Sequence, residues 1–135
     1  MNLMLVDDEE RFLETTRKLL EKKGYRVVTA TNGAEAMQLL NSQTVHVVIL
    51  DVKMPGKDGN TVLKEIKSQF PLVEVIMLTG HATMESAIDG LKFGATDYLT
   101  KPADMELLIQ KAEDAYEKRL RHEERIQKEV PHAIL

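Results

Sequence analysis

A chain of 135 residues, 43% hydrophobic and 30% charged, can close one hydrophobic core and is not a disordered segment. Its net charge of −4 argues against a basic nucleic-acid-binding surface, and its lack of cysteine removes disulfides and thiolate metal sites and suits a reducing, cytoplasmic setting. No apolar run approaches the ~20 residues of a membrane helix, and the opening MNLMLVDDEE is too acidic for a signal peptide, so the domain is expected to begin with its first strand.

Leu3 to Val6 reads as a strand that stops at Asp7 and Asp8. From Glu9 to Lys23, Phe12, Leu13, Leu19 and Leu20 recur at helical spacing until Gly24. Tyr25 to Ala30 is a second strand, and Asn32 can cap a helix carrying Ala34, Met37 and Leu40 on one face. Val45 to Leu50 is a third strand whose apolar run fits burial on both sheet faces. It ends at Asp51, before the turn signals Pro55, Gly56 and Gly59, with Asp58 suited to cap the next helix. Val62, Leu63, Ile66 and Phe70 mark that third helix, closed by Pro71. Val73 to Leu78 is a fourth strand ending at Thr79 and Gly80. Met84, Ala87, Ile88 and Leu91 give a fourth helix, stopped by Gly94. Asp97 to Thr100 is a short fifth strand, and Lys101-Pro102 leads to a last helix capped by Asp104.

Strands alternating with helices predict a parallel sheet covered on both faces, with right-handed crossovers. Five such units fit a doubly wound α/β fold of strand order 2-1-3-4-5, whose switch point lies between strands one and three. That order sets Asp7 and Asp8 beside Asp51, with Thr79 and Lys101 at neighbouring strand ends. Grouped carboxylates repel one another unless a cation neutralises them, and all-oxygen ligands point to Mg²⁺ rather than Zn²⁺. With an ammonium and a hydroxyl added, the set suits a phosphoryl group, for which Asp51 is the natural nucleophile. The competing reading makes Asp7, Asp8 and Asp51 helix caps, Thr79 a surface hydroxyl, Lys101 a solvated side chain and Tyr98 a half-buried strand aromatic.

The acid pair Asp7-Asp8, the segment LDVKMPGKDG from Leu50 to Gly59, LTG from Leu78 to Gly80, and DYLTKP from Asp97 to Pro102 occur in this order. Together they resemble the receiver domain of two-component response regulators, over about residues 1–118. The resemblance implies a flavodoxin-like receiver fold and a signalling switch that catalyses only its own phosphorylation and slow dephosphorylation. It implies that Asp51 accepts a phosphoryl group from a sensor histidine kinase or a phosphotransfer protein. Asp8 would ligate Mg²⁺ directly, Asp7 mainly through water, and Asp51 and the backbone carbonyl of Lys53 would complete the protein ligands. Lys101, ahead of a cis bond to Pro102, would pair with the phosphoryl oxygens. Thr79 would bond one of them and Tyr98 would rotate inward behind it. Lys53 and His81 would tune the access of hydrolytic water. The readout would be the face of helix four, strand five and helix five, toward an output domain, a partner protein or a homodimer formed on phosphorylation. No direct binding to nucleic acid or membrane is implied for this chain. LTGHAT, from Leu78 to Thr83, resembles the receivers of enhancer-binding transcription activators.

Two other classes compete. A phosphatase of the haloacid-dehalogenase type also uses a strand-end Asp but needs a second acid two residues on, where this chain has Lys53. A binding module would use the fold without phosphorylation, which the full acid, Thr and Lys set argues against. Residues 119–135 read as a helical extension or linker, with i,i+4 pairs Glu117–Arg121 and Glu124–Lys128 and a stop at Pro131. Tyr116, Leu120, Ile126 and Val130 keep no heptad, so a fraying helix end and a signalling linker both stand.

Overall fold

The computed structural model describes residues 1–80 and 83–129. It runs β1 (Asn2–Val6), α1 (Glu10–Lys22), β2 (Arg26–Ala30), α2 (Gly33–Ser42), β3 (Val47–Asp51), α3 (Gly59–Gln69), β4 (Glu74–Thr79), α4 (Met84–Lys92), β5 (Asp97–Thr100) and α5 (Met105–Glu129). All strand pairs are parallel, in the expected order β2-β1-β3-β4-β5.

Every residue of β3 and of β4 is buried, as a central parallel strand covered on both faces requires. Alternate residues then serve two cores. Leu3, Leu5, Val47, Ile49, Ile76, Leu78 and Leu99 pack with Leu13 and Leu20 of α1 and with Leu108, Ala112 and Ala115 of α5. Met4, Val6, Val48, Leu50, Val75 and Met77 pack with Ala36 and Leu40 of α2, Val62, Leu63 and Ile66 of α3, and Ala87 of α4. Strand period and two helical layers thus interlock into the doubly wound arrangement.

The expected caps form: Asn32 accepts from the Glu35 amide, Asp58 from Thr61, and Asp104 from Glu106. Gly94, at φ +106°, turns the chain out of α4 in a conformation that favours glycine. Two apolar stripes differ from expectation. The buried face of α1 is Leu13, Thr16 and Leu20, so Leu19 is exposed, one position off the stripe. On α4 only Ala87 and Gly90 are buried, while Ile88 and Leu91 face solvent.

The helix α5 has 25 residues, about 37 Å of continuous helix. It is fastened to the amino-terminal edge of the sheet. Arg119 donates from Nη1 to the carbonyl of Val45 at 2.8 Å and from Nε to Glu123 at 2.7 Å. Tyr116 packs on the His46 ring with centroids 5.0 Å apart, and His46 Nδ1 accepts from the Asn2 amide. Lys118 Nζ lies 3.8 Å from buried Glu74, to which Thr96 also donates. Of the two pairs expected on the extension, Glu124–Lys128 forms at 3.5 Å, while Glu117–Arg121 does not form among the described residues and the pair Arg119–Glu123 stands on that helix instead. Pro131 lies outside the described residues.

Candidate functional site

The sheet itself delivers the polar residues to one edge. Past the end of β1 the ladder continues through the Asp7 amide, which donates to Ala30 O at 3.1 Å. Asp51 is the last residue of β3, opposite Leu78 of β4. The amide of Lys101, just beyond β5, donates to Thr79 O at 2.7 Å. The strands β1, β3, β4 and β5 therefore end at one level, and Asp7, Asp51 and Lys101 meet there.

Asp7 is 1% exposed, and both its oxygens are engaged: Oδ1 accepts from the Glu9 amide at 2.9 Å and Oδ2 from Lys101 Nζ at 2.7 Å. Asp51, 5% exposed, accepts from the Lys53 amide at 3.3 Å, and its Oδ1 lies 3.8 Å from Lys101 Nζ. Lys101 thus bridges two buried carboxylates, with its ammonium 5.0 Å from the centre of the Phe12 ring. Asp8 is exposed and brings a third carboxylate. One oxygen from each of Asp7, Asp8 and Asp51 lies within 4.8 Å of the others.

Burial, then the charge of Asp7, pushes the Asp51 carboxyl up from 3.8 to about 6, against the opposing pull of Lys101 and the Lys53 amide. Burial works against the Lys101 ammonium, but the hydrogen bond and charge of Asp7, followed by Asp51, outweigh it and hold the group above its ordinary value. One ammonium among three acids leaves the cluster short of positive charge. An all-oxygen donor set that faces a cleft of about 500 Å³ fits a hard divalent cation that keeps some of its water.

The structure brings Asp7, Asp8, Asp51, Lys53 and Lys101 to this cleft. Lys53 is exposed and contributes its amide to Asp51. Thr79 stands at the end of β4 but is fully buried, and the β4 side of the cleft is walled by Gly80 and Thr83 instead. The Thr79 hydroxyl is bonded to Thr83 Oγ1 and lies 3.0 Å from Gly80 O. Tyr98 is half-buried on β5 and packs on the core under α2, α3 and α4. The Lys101-Pro102 bond is cis. His81 lies outside the described residues.

Three contributors were missed by the sequence reading. Glu9 lines the cleft and directs its amide to Asp7, a role that only the chain path after β1 defines. Thr83 partners Thr79 across the β4–α4 turn. Gly59, read as a turn signal, is needed for close approach: a Cβ there would lie 2.5 Å from the carbonyl oxygen of Asp51 and 2.7 Å from Cα of Val52. Its amide donates to Val52 O at 2.8 Å, docking the start of α3 directly on the end of β3.

Comparison with known proteins places this geometry. Residues 3–113 match the response regulator receiver domain family. Among curated relatives, transcriptional regulatory protein ZraR of Escherichia coli (strain K12) is 35% identical over 97% of this chain and 29% of its own length. Transcriptional regulatory protein GlrR of the same strain is 39% identical over 86% of this chain and 26% of its own. The chain therefore spans less than a third of the length of these relatives. Among solved structures, Brucella abortus NtrX in complex with ADP superposes with a TM-score of 0.89 at 30% identity, covering 96% of this chain and 30% of that one. The receiver domain of B. abortus NtrX superposes at 0.81 and 33% identity, over 85% of this chain and 98% of that one. With the strand order, the acid-lined edge and a family match across most of its length in agreement, the chain belongs to the response regulator receiver domains of two-component signalling.

Proposed function

We propose that this receiver is a phosphorylation-dependent switch whose acceptor is Asp51 and whose donor is the phosphohistidine of a sensor histidine kinase or phosphotransfer protein. The observation that carries this is the buried Asp51 carboxylate, lining an open cleft 3.8 Å from the Lys101 ammonium that also holds Asp7. With its carboxyl at about 6, Asp51 is mostly ionised at neutral pH and can act as nucleophile. Its oxygen forms the new bond to phosphorus as the bond from phosphorus to the donor nitrogen breaks, and a proton returns to the leaving imidazole. Lys101 is close enough to follow the charge from carboxylate to phosphoryl oxygens. Asp7, Asp8, Asp51 and the backbone carbonyl of Lys53 would hold Mg²⁺. When bound, that ion offsets the negative charge gathered in the transferring group.

Thr79 and Tyr98 form the switch in this reading, and Lys53 and His81 set how readily water removes the phosphoryl group. The readout surface is the face of α4, β5 and α5, which the exposed apolar residues Ile88, Leu91 and Leu107 support. Residues 1–118 act as the receiver, and 119–135 as a helical extension toward an output domain, a partner or a second copy. Similarity to transcriptional regulators supports a cytoplasmic role in transcription, with nucleic acid contacted by other parts. Incubation with acetyl phosphate and Mg²⁺, followed by intact mass measurement, tests the assignment. One added phosphoryl group is expected, absent from Asp51→Asn; none on the native chain, or one that survives the substitution, overturns it.

A further inference from the structure

At the β4–α4 junction a closed hydroxyl cluster takes Thr79 out of the cleft. The Thr79 and Thr83 hydroxyl oxygens are bonded to each other, and they lie 3.0 and 3.2 Å from the same acceptor, Gly80 O. Two hydroxyl protons are shared among three oxygens. If Thr83 donates to Gly80 O, Thr79 donates to Thr83; if Thr79 donates to Gly80 O, Thr83 donates to Thr79. Either way the Thr79 proton is committed inside the cluster, so it is not free for an anion in the cleft. Thr79 is fully buried, which raises the cost of giving up these partners without replacement.

Thr83 is also fixed on its own account. Its amide donates to Gly80 O at 3.1 Å, so the chain turns back on that carbonyl just before α4 begins at Met84. One turn further on, Asn60 of α3 donates to the carbonyl of Ser86 at 3.0 Å. Gly90, in the same helix, sits where a Cβ would lie 3.0 Å from Asn60 Oδ1 and 3.1 Å from Met77 Cγ. The start of α4 is therefore held against α3 and β4 while the Thr83 hydroxyl faces Thr79.

We propose that Thr83 is a positioning residue, a resting-state latch that holds the Thr79 hydroxyl away from the phosphoryl site until phosphorylation draws it out. This rests on the reading of Asp51 as acceptor, and it assigns to Thr83 a cost that every activation of the switch must meet. Exchange of the Thr79–Thr83 bond for a bond from Thr79 to a phosphoryl oxygen removes one of the ties between the start of α4 and β4. The side chain of residue 83 thus sets how far the resting state is favoured.

The test uses beryllofluoride with Mg²⁺ as phosphoryl mimic, binding being followed by amide NMR shifts at Gly80 and along α4. Thr83→Val removes the hydroxyl and keeps the branched shape, so its dissociation constant is expected to fall about three- to tenfold, the worth of one net hydrogen bond. Thr83→Ser keeps the hydroxyl and should bind as the native chain does. In a Thr79→Val background, Thr83→Val should bring no gain, because there is no hydroxyl left to release. Equal or weaker binding by folded Thr83→Val, or a gain that persists without the Thr79 hydroxyl, overturns the latch. Failure of the native chain to bind the mimic overturns the acceptor reading, and the latch with it.

Discussion

Asp51→Asn should stabilise the metal-free protein. Moving the carboxyl from 3.8 in the unfolded chain to about 6 in the fold is roughly two pK units, or about 3 kcal/mol of penalty on the ionised native state at neutral pH. The folded group binds its proton more tightly than the unfolded one. The penalty is therefore absent below about pH 4, grows through the interval, and is complete above about pH 6. An asparagine mimics the protonated acid and keeps an acceptor for the Lys53 amide, but it gives up the charge of Lys101 at 3.8 Å. A net gain of about 1–3 kcal/mol is expected at pH 7.5, which shifts the melting temperature by about 3–5 °C per kcal/mol in a domain of this size. Urea unfolding in EDTA, followed by far-ultraviolet circular dichroism at pH 7.5 and again near pH 4, measures it. Equal or lower stability of the variant at pH 7.5 refutes the argument. A gain of the same size at both pH values assigns the effect to packing and refutes its electrostatic origin.

Mg²⁺ should raise the stability of the native chain by about 2.7 kcal/mol at one hundred times its dissociation constant, and by much less in Asp8→Asn, as read from thermal melts. Lys101→Met leaves the buried Asp7 carboxylate without its ammonium. Because Lys101 keeps a quarter of its side chain in solvent, the loss should be about 1–2 kcal/mol, with a slower gain of phosphoryl mass from acetyl phosphate. Gly59→Ala must push its Cβ out of two backbone contacts, Asp51 O and Val52 Cα. A fall of about 1–3 kcal/mol in urea unfolding is expected, with weaker Mg²⁺ binding as the end of β3 shifts.

The parts of the fold that could be read in advance share a cause. β3 and β4 are unbroken apolar runs because both their faces are covered, and the strand order follows from regular alternation with helices. The site followed because, in that order, strand ends must converge, so Asp7, Asp51 and Lys101 could be grouped before any distance was known. Contacts made by chance of chain path could not be read. Thr79 was expected to face the cleft, but its hydroxyl is bonded to that of Thr83. Gly59 carries the same letter as any turn glycine, although its reason is a backbone packed on a backbone. On α4, helical spacing alone could not show that Ile88 and Leu91 fall on the solvent side, since Ala87 and Gly90 make the close contact with the sheet. The network around Glu74 joins residues far apart in sequence and bears no local signature.

The fastening of α5 by Arg119 has a mechanical side. Val45, whose carbonyl takes the guanidinium, immediately precedes His46 and the strand that carries Asp51. Beyond this pivot the helix continues for ten residues to Glu129, an arm of about 15 Å. A tilt of about 10° at Arg119 would swing the tip by roughly 2.6 Å. The bond that steadies the helix against the sheet also makes it a lever: a small rearrangement of the strand end it grips would reach the helix tip as a larger displacement.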